Sequence, residues 1–258
     1  MLDAIVAHYT VLDSIKADLG RAYRSYVVNK ASPGIVPITI SQDQEHALGL
    51  AYTSRPEAAG LKWIDGINYN ALLSCPFCGG DGARTIEHYL PQASYPEFSV
   101  FSLNLMPSCG DCNRKRNDAN KHGAEIKLLH PYFDWHLLDK LDLYTSIDFM
   151  SGVPRFELEY DREELDDEQQ ERIDHHIKIN VDWISFINKT LAELEVLKVE
   201  AEKYSGVDDF LRRCVDDKVY LYDRVGAVNS WGQALCKGIL KLTEVEVACV
   251  FGCYFGKR

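Results

Sequence analysis

Residues 75–117 read CPFCGGDGARTIEHYLPQASYPEFSVFSLNLMPSCGDCNRKRN, and the rest of the chain is understood from this stretch outward. Two Cys-x-x-Cys pairs, Cys75 with Cys78 and Cys109 with Cys112, flank a Glu-His dipeptide. Thiolates at this spacing, with the second pair thirty residues after the first, suit a closed tetrahedral zinc site. Four thiolates leave no open coordination position, so such a metal holds shape and does not activate water. Inside the same stretch lies a second set of a different kind. Glu87, Asn113 and Asn117 offer oxygen, a hard donor suited to Mg²⁺ or Mn²⁺, and His88 beside them carries an imidazole that titrates near neutrality.

Local structure follows from the same residues. Cys75 to Gly80 reads as a zinc knuckle, its glycines admitting the backbone positions of a tight turn. Ala83 to His88 is expected as a strand, Phe98 to Leu105 as its hairpin partner, and a short helix should begin near Asp111. On that helix Asn113 and Asn117 are four apart and share a face. A cation on hard ligands next to a histidine base is an apparatus for hydrolysing a phosphodiester: the base takes a proton from water, and the cation offsets charge on the phosphate and the leaving oxygen. The adjoining Arg114, Lys115 and Arg116 are placed to contact a nucleic-acid backbone.

The composition narrows the class. The 258 residues carry 28 basic and 39 acidic side chains, a net charge of -11, which argues against a protein that coats nucleic acid nonspecifically. The charge is segregated: acids crowd residues 161–174, whereas the densest basic cluster is 114–116. No run of about 18 apolar residues suggests a membrane span, and the first residues lack the basic, apolar and cleavage segments of a secretory signal. A cytoplasmic location is expected, and reduced thiols there favour metal binding over disulfides. Cys214, Cys236, Cys249 and Cys253 have no such pairing and read as buried small hydrophobes.

The flanks read as mainly helical. Apolar spacing over residues 1–30 predicts one amphipathic helix, Ser41 a capped helix over 42–52, and Ser54-Arg55-Pro56 the start of a short third segment. Lys127 to Asp134 is an aromatic turn in which His130, before a proline, reads as structural. Leu141 to Ile147 and Arg155 to Tyr160 alternate as strands. Asp166 to Ser205 reads as one helix, with Ile173, Ile177, Val181, Ile184, Ile187, Leu191, Leu194, Leu197 and Ala201 as a single apolar stripe. That stripe is core or a partner surface. The expected organisation is a helical segment over 1–70, a core over 71–138, and a mixed, mainly helical region over 139–258.

Together, the Cys-x-x-Cys pairs, Glu87-His88-Tyr89-Leu90-Pro91, Asn104-Leu105 and Cys109-x-x-Cys112-Asn113-Arg114-Lys115 resemble the HNH endonucleases, the ββα-metal nucleases, in the subgroup with a four-cysteine zinc. The resemblance covers residues 71–138. It implies an α+β protein with a zinc-stapled ββα core set between helical segments. It makes His88 the general base, Glu87 a catalytic metal ligand, and Asn104 the residue that holds the hairpin loop and so orients His88. Asn113 takes the place of the family's final histidine as metal ligand, and Asn117 matches a second ligand position used by some members. The implied cofactors are a structural Zn²⁺ and a catalytic Mg²⁺ or Mn²⁺; the implied substrate is nucleic acid, DNA before RNA. Many members have Asp where this chain has Glu87, one methylene longer, and Asn113 is a harder ligand than histidine, which fits Mg²⁺. An HNH module with helical extensions is similar to effector nucleases of bacterial anti-phage defence such as the Septu type, which implies an ATPase partner subunit. The alternative, if Glu87 cannot reach a cation, is a non-catalytic zinc-stapled module that binds nucleic acid or protein.

Overall fold

The computed structural model describes residues 2–69, 72–82, 84–116, 119–148 and 154–257. The chain is a mixed α+β protein made of two compact units. The first comprises Met1–Ala71, Gly82–Leu138 and Asp167–Asn180; the second comprises Leu72–Asp81, Asp139–Asp166 and Val181–Arg258.

In the first unit, the expected single helix over residues 1–30 is three pieces: α1 (Leu2–His8), a 3-10 turn (Thr10–Ile15) and α2 (Lys16–Val28). Tyr9, with φ -111° and ψ 79°, leaves the helical region and breaks the run. The apolar spacing is still used, because Ile5, Leu12, Ile15 and Leu19 are all buried. Next, α3 (Gln42–Ser54) begins with a capping box in which Ser41 Oγ accepts from Gln44 N at 3.3 Å and Gln44 Oε1 accepts from Ser41 N at 2.8 Å. It is followed by α4 (Trp63–Tyr69). Strand β1 (Thr85–His88) pairs antiparallel with β2 (Leu105–Ser108), Glu87 opposite Met106 and His88 opposite Leu105, and α5 (Gly110–Lys115) packs on β1.

The second hairpin strand was expected at Phe98 to Leu105 and lies at Leu105–Ser108 instead. Residues 96–104 fold into two 3-10 turns, Pro96–Phe98 and Ser102–Asn104. The period-two look of Phe98 and Val100 is misleading, since both are buried, Phe98 in an aromatic cluster with Tyr23, Tyr26 and Phe101 and Val100 in the aliphatic core with Ile5, Leu12 and Leu105. Then come α6 (Trp135–Lys140) and, completing this unit, α7 (Asp167–Asn180).

The second unit contains the hairpin β3 (Leu143–Asp148) and β4 (Arg155–Tyr160), then α8 (Trp183–Ala201), α9 (Val207–Phe210), a π-helical turn (Leu211–Val215), α10 (Asp216–Arg224), α11 (Trp231–Lys241) and α12 (Glu244–Phe251). Helix α11 lies tightly on β3: a Cβ on Gly238 would meet Thr145 O at 2.0 Å, so only glycine allows this approach. The single helix expected over 166–205 is interrupted, with Asp182 Oδ1 accepting from Ser185 N at 2.9 Å to cap α8. The restart rephases the faces. Phe186, Thr190, Leu194, Leu197 and Ala201 are buried, whereas Ile184 is 74% exposed, so the residues read as one stripe do not form one. Cys214 and Cys236 are buried as expected; Cys249 and Cys253 are exposed. Among the described residues no helix is long and apolar enough to cross a membrane.

Candidate metal and histidine site

The knuckle is built by backbone bonds that only a tight turn can make. Cys75 N donates to Gly80 O at 2.8 Å, Gly79 N donates to Cys75 O at 2.9 Å, and Gly79 takes φ 75°. Its outer surface is fixed by α11: Trp231 N donates to Gly79 O at 2.9 Å and Trp231 Nε1 to Cys78 O at 2.5 Å. Cys109 is the N-cap of α5, its sulfur accepting from Cys112 N at 3.4 Å, and Gly80 N points likewise at Cys78 Sγ at 3.3 Å. Such N–H donors stabilise sulfur as thiolate.

The ligand sulfurs of Cys75, Cys78, Cys109 and Cys112 all lie within 4.8 Å of one another, three of these residues being buried and Cys109 half-buried. A tetrahedral Zn²⁺ with Zn–S of about 2.3 Å sets sulfurs about 3.8 Å apart. The donor set therefore fits zinc, and among the described residues it is the one group of three or more Cys, His, Asp or Glu side chains so disposed.

His88 ends β1 half-buried, and its Nε2 lies 2.9 Å from the carbonyl oxygen of Ser99. A carbonyl only accepts, so the proton sits on Nε2 and Nδ1 carries the lone pair. Burial pushes the imidazole below its ordinary pKa, the Ser99 carbonyl opposes this, and the charge of Arg55 adds to the lowering. The ring also meets Tyr52 edge-on, with centroids 4.4 Å apart.

Asn104 organises the loop that supplies Ser99. It is fully buried; its Oδ1 accepts from Leu90 N at 2.7 Å, and its Nδ2 donates to Leu90 O at 3.1 Å and Phe98 O at 3.2 Å. Its backbone oxygen accepts from Tyr89 N at 2.9 Å. The second residue after His88 and the residue preceding Ser99 are thus tied to one side chain. Behind it stands a network not foreseen from the sequence. Tyr26 Oη lies 3.0 Å from Asn104 Oδ1 and 3.2 Å from His130 Nε2. His130 Nδ1 accepts from Tyr132 N at 3.1 Å, so its proton is on Nε2 and is donated to Tyr26. Buried with no exposure, His130 is lowered to about 3, chiefly by desolvation. It is a structural histidine.

The oxygen set is divided. Asn113, on α5, donates Nδ2 to Ile86 O at 3.1 Å. Glu87 is buried, with Arg116 Nε 4.0 Å from its Oε1. Asn117 lies outside the described residues. The basic cluster is divided too. Arg114 and Lys115 are exposed, Arg114 pairing with Asp111. Arg116 is 3% exposed, its guanidinium beside Glu87 and 5.4 Å from the Tyr89 ring centroid. This corrects the expectation that Arg116 contacts nucleic acid: at the end of α5 it turns inward, where a carboxylate and an aromatic face compensate its charge.

No protein-family model matches the chain, and no solved structure matches it. The chain is similar to Protein ea31 of Escherichia phage lambda, with 42% identity over 82 residues. That stretch is 31% of this chain and 27% of the phage protein, so the similarity spans about a quarter of the relative's length.

Proposed function

We propose that the chain is a divalent-metal-dependent endonuclease that hydrolyses nucleic-acid phosphodiesters, DNA before RNA. The observation that carries this reading is the state of His88. Its Nε2–H is committed to Ser99 O, its Nδ1 lone pair is left for a proton, and its lowered pKa keeps it neutral at neutral pH. A base held in one tautomer by a backbone carbonyl can take a proton from water without reorienting. Asn104 maintains that geometry by pinning the loop from Tyr89 to Ser99. Glu87 and Asn113 Oδ1 are the groups to hold Mg²⁺ or Mn²⁺, which when bound offsets negative charge on the phosphate and leaving oxygen. Arg114 and Lys115, exposed on α5, supply backbone contacts to the polymer. The cysteine cluster holds zinc in a purely structural role. A place in anti-phage defence beside an ATPase partner is supported by the motif resemblance.

One observation favours a second reading. Arg116 beside Glu87 places a positive charge where a cation is needed, and a carboxylate so compensated suits a non-catalytic zinc-stapled binding module. Supercoiled plasmid and single-stranded RNA, each incubated with the purified chain and Mg²⁺ or Mn²⁺, separate the two. The nuclease reading expects nicked or linear plasmid and a loss of rate of about a hundredfold in Glu87→Gln. Nucleic acid bound but uncut under all of these conditions favours the binding module.

A further inference from the structure

A guanidinium and His88 both meet the ring of Tyr52. Arg55 follows the last residue of α3 in the left-handed region, φ 47° and ψ 54°, a backbone state that non-glycine residues adopt only at a cost. Its N–H bonds to Ala51 O at 3.1 Å and Pro56 follows, so the turn is held on both sides. The side chain is fixed as firmly. Nε donates to Tyr52 O at 3.0 Å, Nη1 donates to Asp65 Oδ1 at 2.6 Å, and Cζ lies 5.2 Å from the Tyr52 ring centroid. The same ring meets His88 at 4.4 Å, so guanidinium and imidazole share one aromatic neighbour.

The Tyr52 carbonyl accounts for Nε and the ion pair with Asp65 for Nη1. With these bonds made, the side chain keeps 22% exposure. An open cleft of about 920 Å³ runs along α3, lined on the α3 side by Asp43, Glu45, His46 and Thr53 and on the other by Gln92; Thr53 is two residues before Arg55, and neither Arg55 nor His88 lines the cleft itself.

We infer that Arg55 is a substrate-binding residue whose guanidinium donates to a non-bridging oxygen of the phosphate presented to His88. This rests on the nuclease reading given above. Arginine suits the task because its planar fork remains charged and offers two parallel donors to an oxyanion. Asp65 and Tyr52 hold the fork in place before the substrate arrives, which lowers the entropy lost on binding.

The test uses the full chain, a fluorescent DNA duplex and no added divalent cation, with anisotropy read at several salt concentrations. Arg55→Ala should weaken binding about tenfold and flatten the slope of log Kd against log salt by about 0.9, one phosphate contact. Arg55→Lys should keep the slope and recover part of the affinity. Thermal melts identify a variant that fails to fold; Arg55→Lys then carries the comparison, together with Asp65→Asn, which loosens the fork and should weaken binding a few-fold at unchanged slope. Wild-type affinity and slope in Arg55→Ala overturn the inference, as does a wild-type chain that binds no duplex. The nuclease reading fails separately. If the wild type binds but never cuts, that reading falls while the salt slope still decides the contact. If Arg55→Ala cuts at the wild-type rate and His88→Ala does not, the Arg55 inference alone falls.

Discussion

The cysteine cluster and the Glu87–His88 strand come from one continuous stretch of sequence, yet they are specified in opposite ways. Each cysteine pair is closed by its own neighbours: a knuckle turn with Gly79 at positive φ, and a helix N-terminus capped by Cys109. Ligand identity and spacing carry nearly all the information. His88 owes its tautomer to Ser99, eleven residues away, and Ser99 is held by a loop that Asn104 closes. A thiolate site can be recognised from a pattern, whereas a histidine base is made by the loop around it.

The largest effect that tests this contrast is on the metal. Chelation of zinc, or Cys112→Ser, should lower the melting temperature by more than about 10 °C, as expected where metal-binding energy is folding energy. An unchanged melt with no zinc by elemental analysis would break the structural half of the comparison. Next is Asn104→Ala. It strands the N–H and C=O of Leu90 and the Phe98 carbonyl in a buried site and should cost about 3 kcal/mol in denaturant melts, with zinc retained and cleavage lost. Full activity in that variant would separate the loop from the base.

Acid should act on the first unit through His130. Its folded pKa, about 3, lies below the ordinary value of 6.5, so its contribution to stability is complete above about pH 6.5 and is lost as pH falls toward 3. The total is on the order of 5 kcal/mol, and acid titration followed by near-UV circular dichroism should show unfolding in that window. Loss of tertiary signal only below pH 3 would contradict the assignment. The smallest effect concerns Glu97, whose carboxyl is raised by burial, opposed by the N–H of Ile38 on Oε1 at 3.1 Å. A raised carboxyl stabilises in its protonated form below its unfolded pKa and loses that contribution as pH rises through the folded value. Glu97→Gln keeps the acceptor and removes the charge, so it should be neutral or stabilising by up to about 1 kcal/mol at pH 7, with less difference at pH 4.

Much of this was legible in the residues. The strand ending at His88, the helix after Cys109 and the capped α3 follow from local pattern, whereas Tyr26 and Tyr89, the partners that bury His130, are distant in sequence. The second hairpin strand was misplaced because Phe98 and Val100 alternate like a strand, while the segment folds as two turns that send Phe98 into an aromatic cluster and Val100 into the aliphatic core. The stripe from Ile173 to Ala201 broke where Asp182 restarts a helix, a cap that the apolar period conceals. The inward turn of Arg116 was hidden for another reason. A basic run looks uniform in sequence, and only the packing of α5 on β1 shows which member is buried. Arg55 carried no signal beyond its position before a proline, since its relation to His88 runs through the face of Tyr52.

The central claim, that the zinc holds shape while His88 performs chemistry, is tested most directly by measuring plasmid cleavage and zinc content in the same preparations of wild type and His88→Ala. The account predicts equal zinc, about one ion per chain, with cleavage reduced by a factor of about 10² to 10⁴ in the variant. Equal cleavage at equal zinc would contradict it.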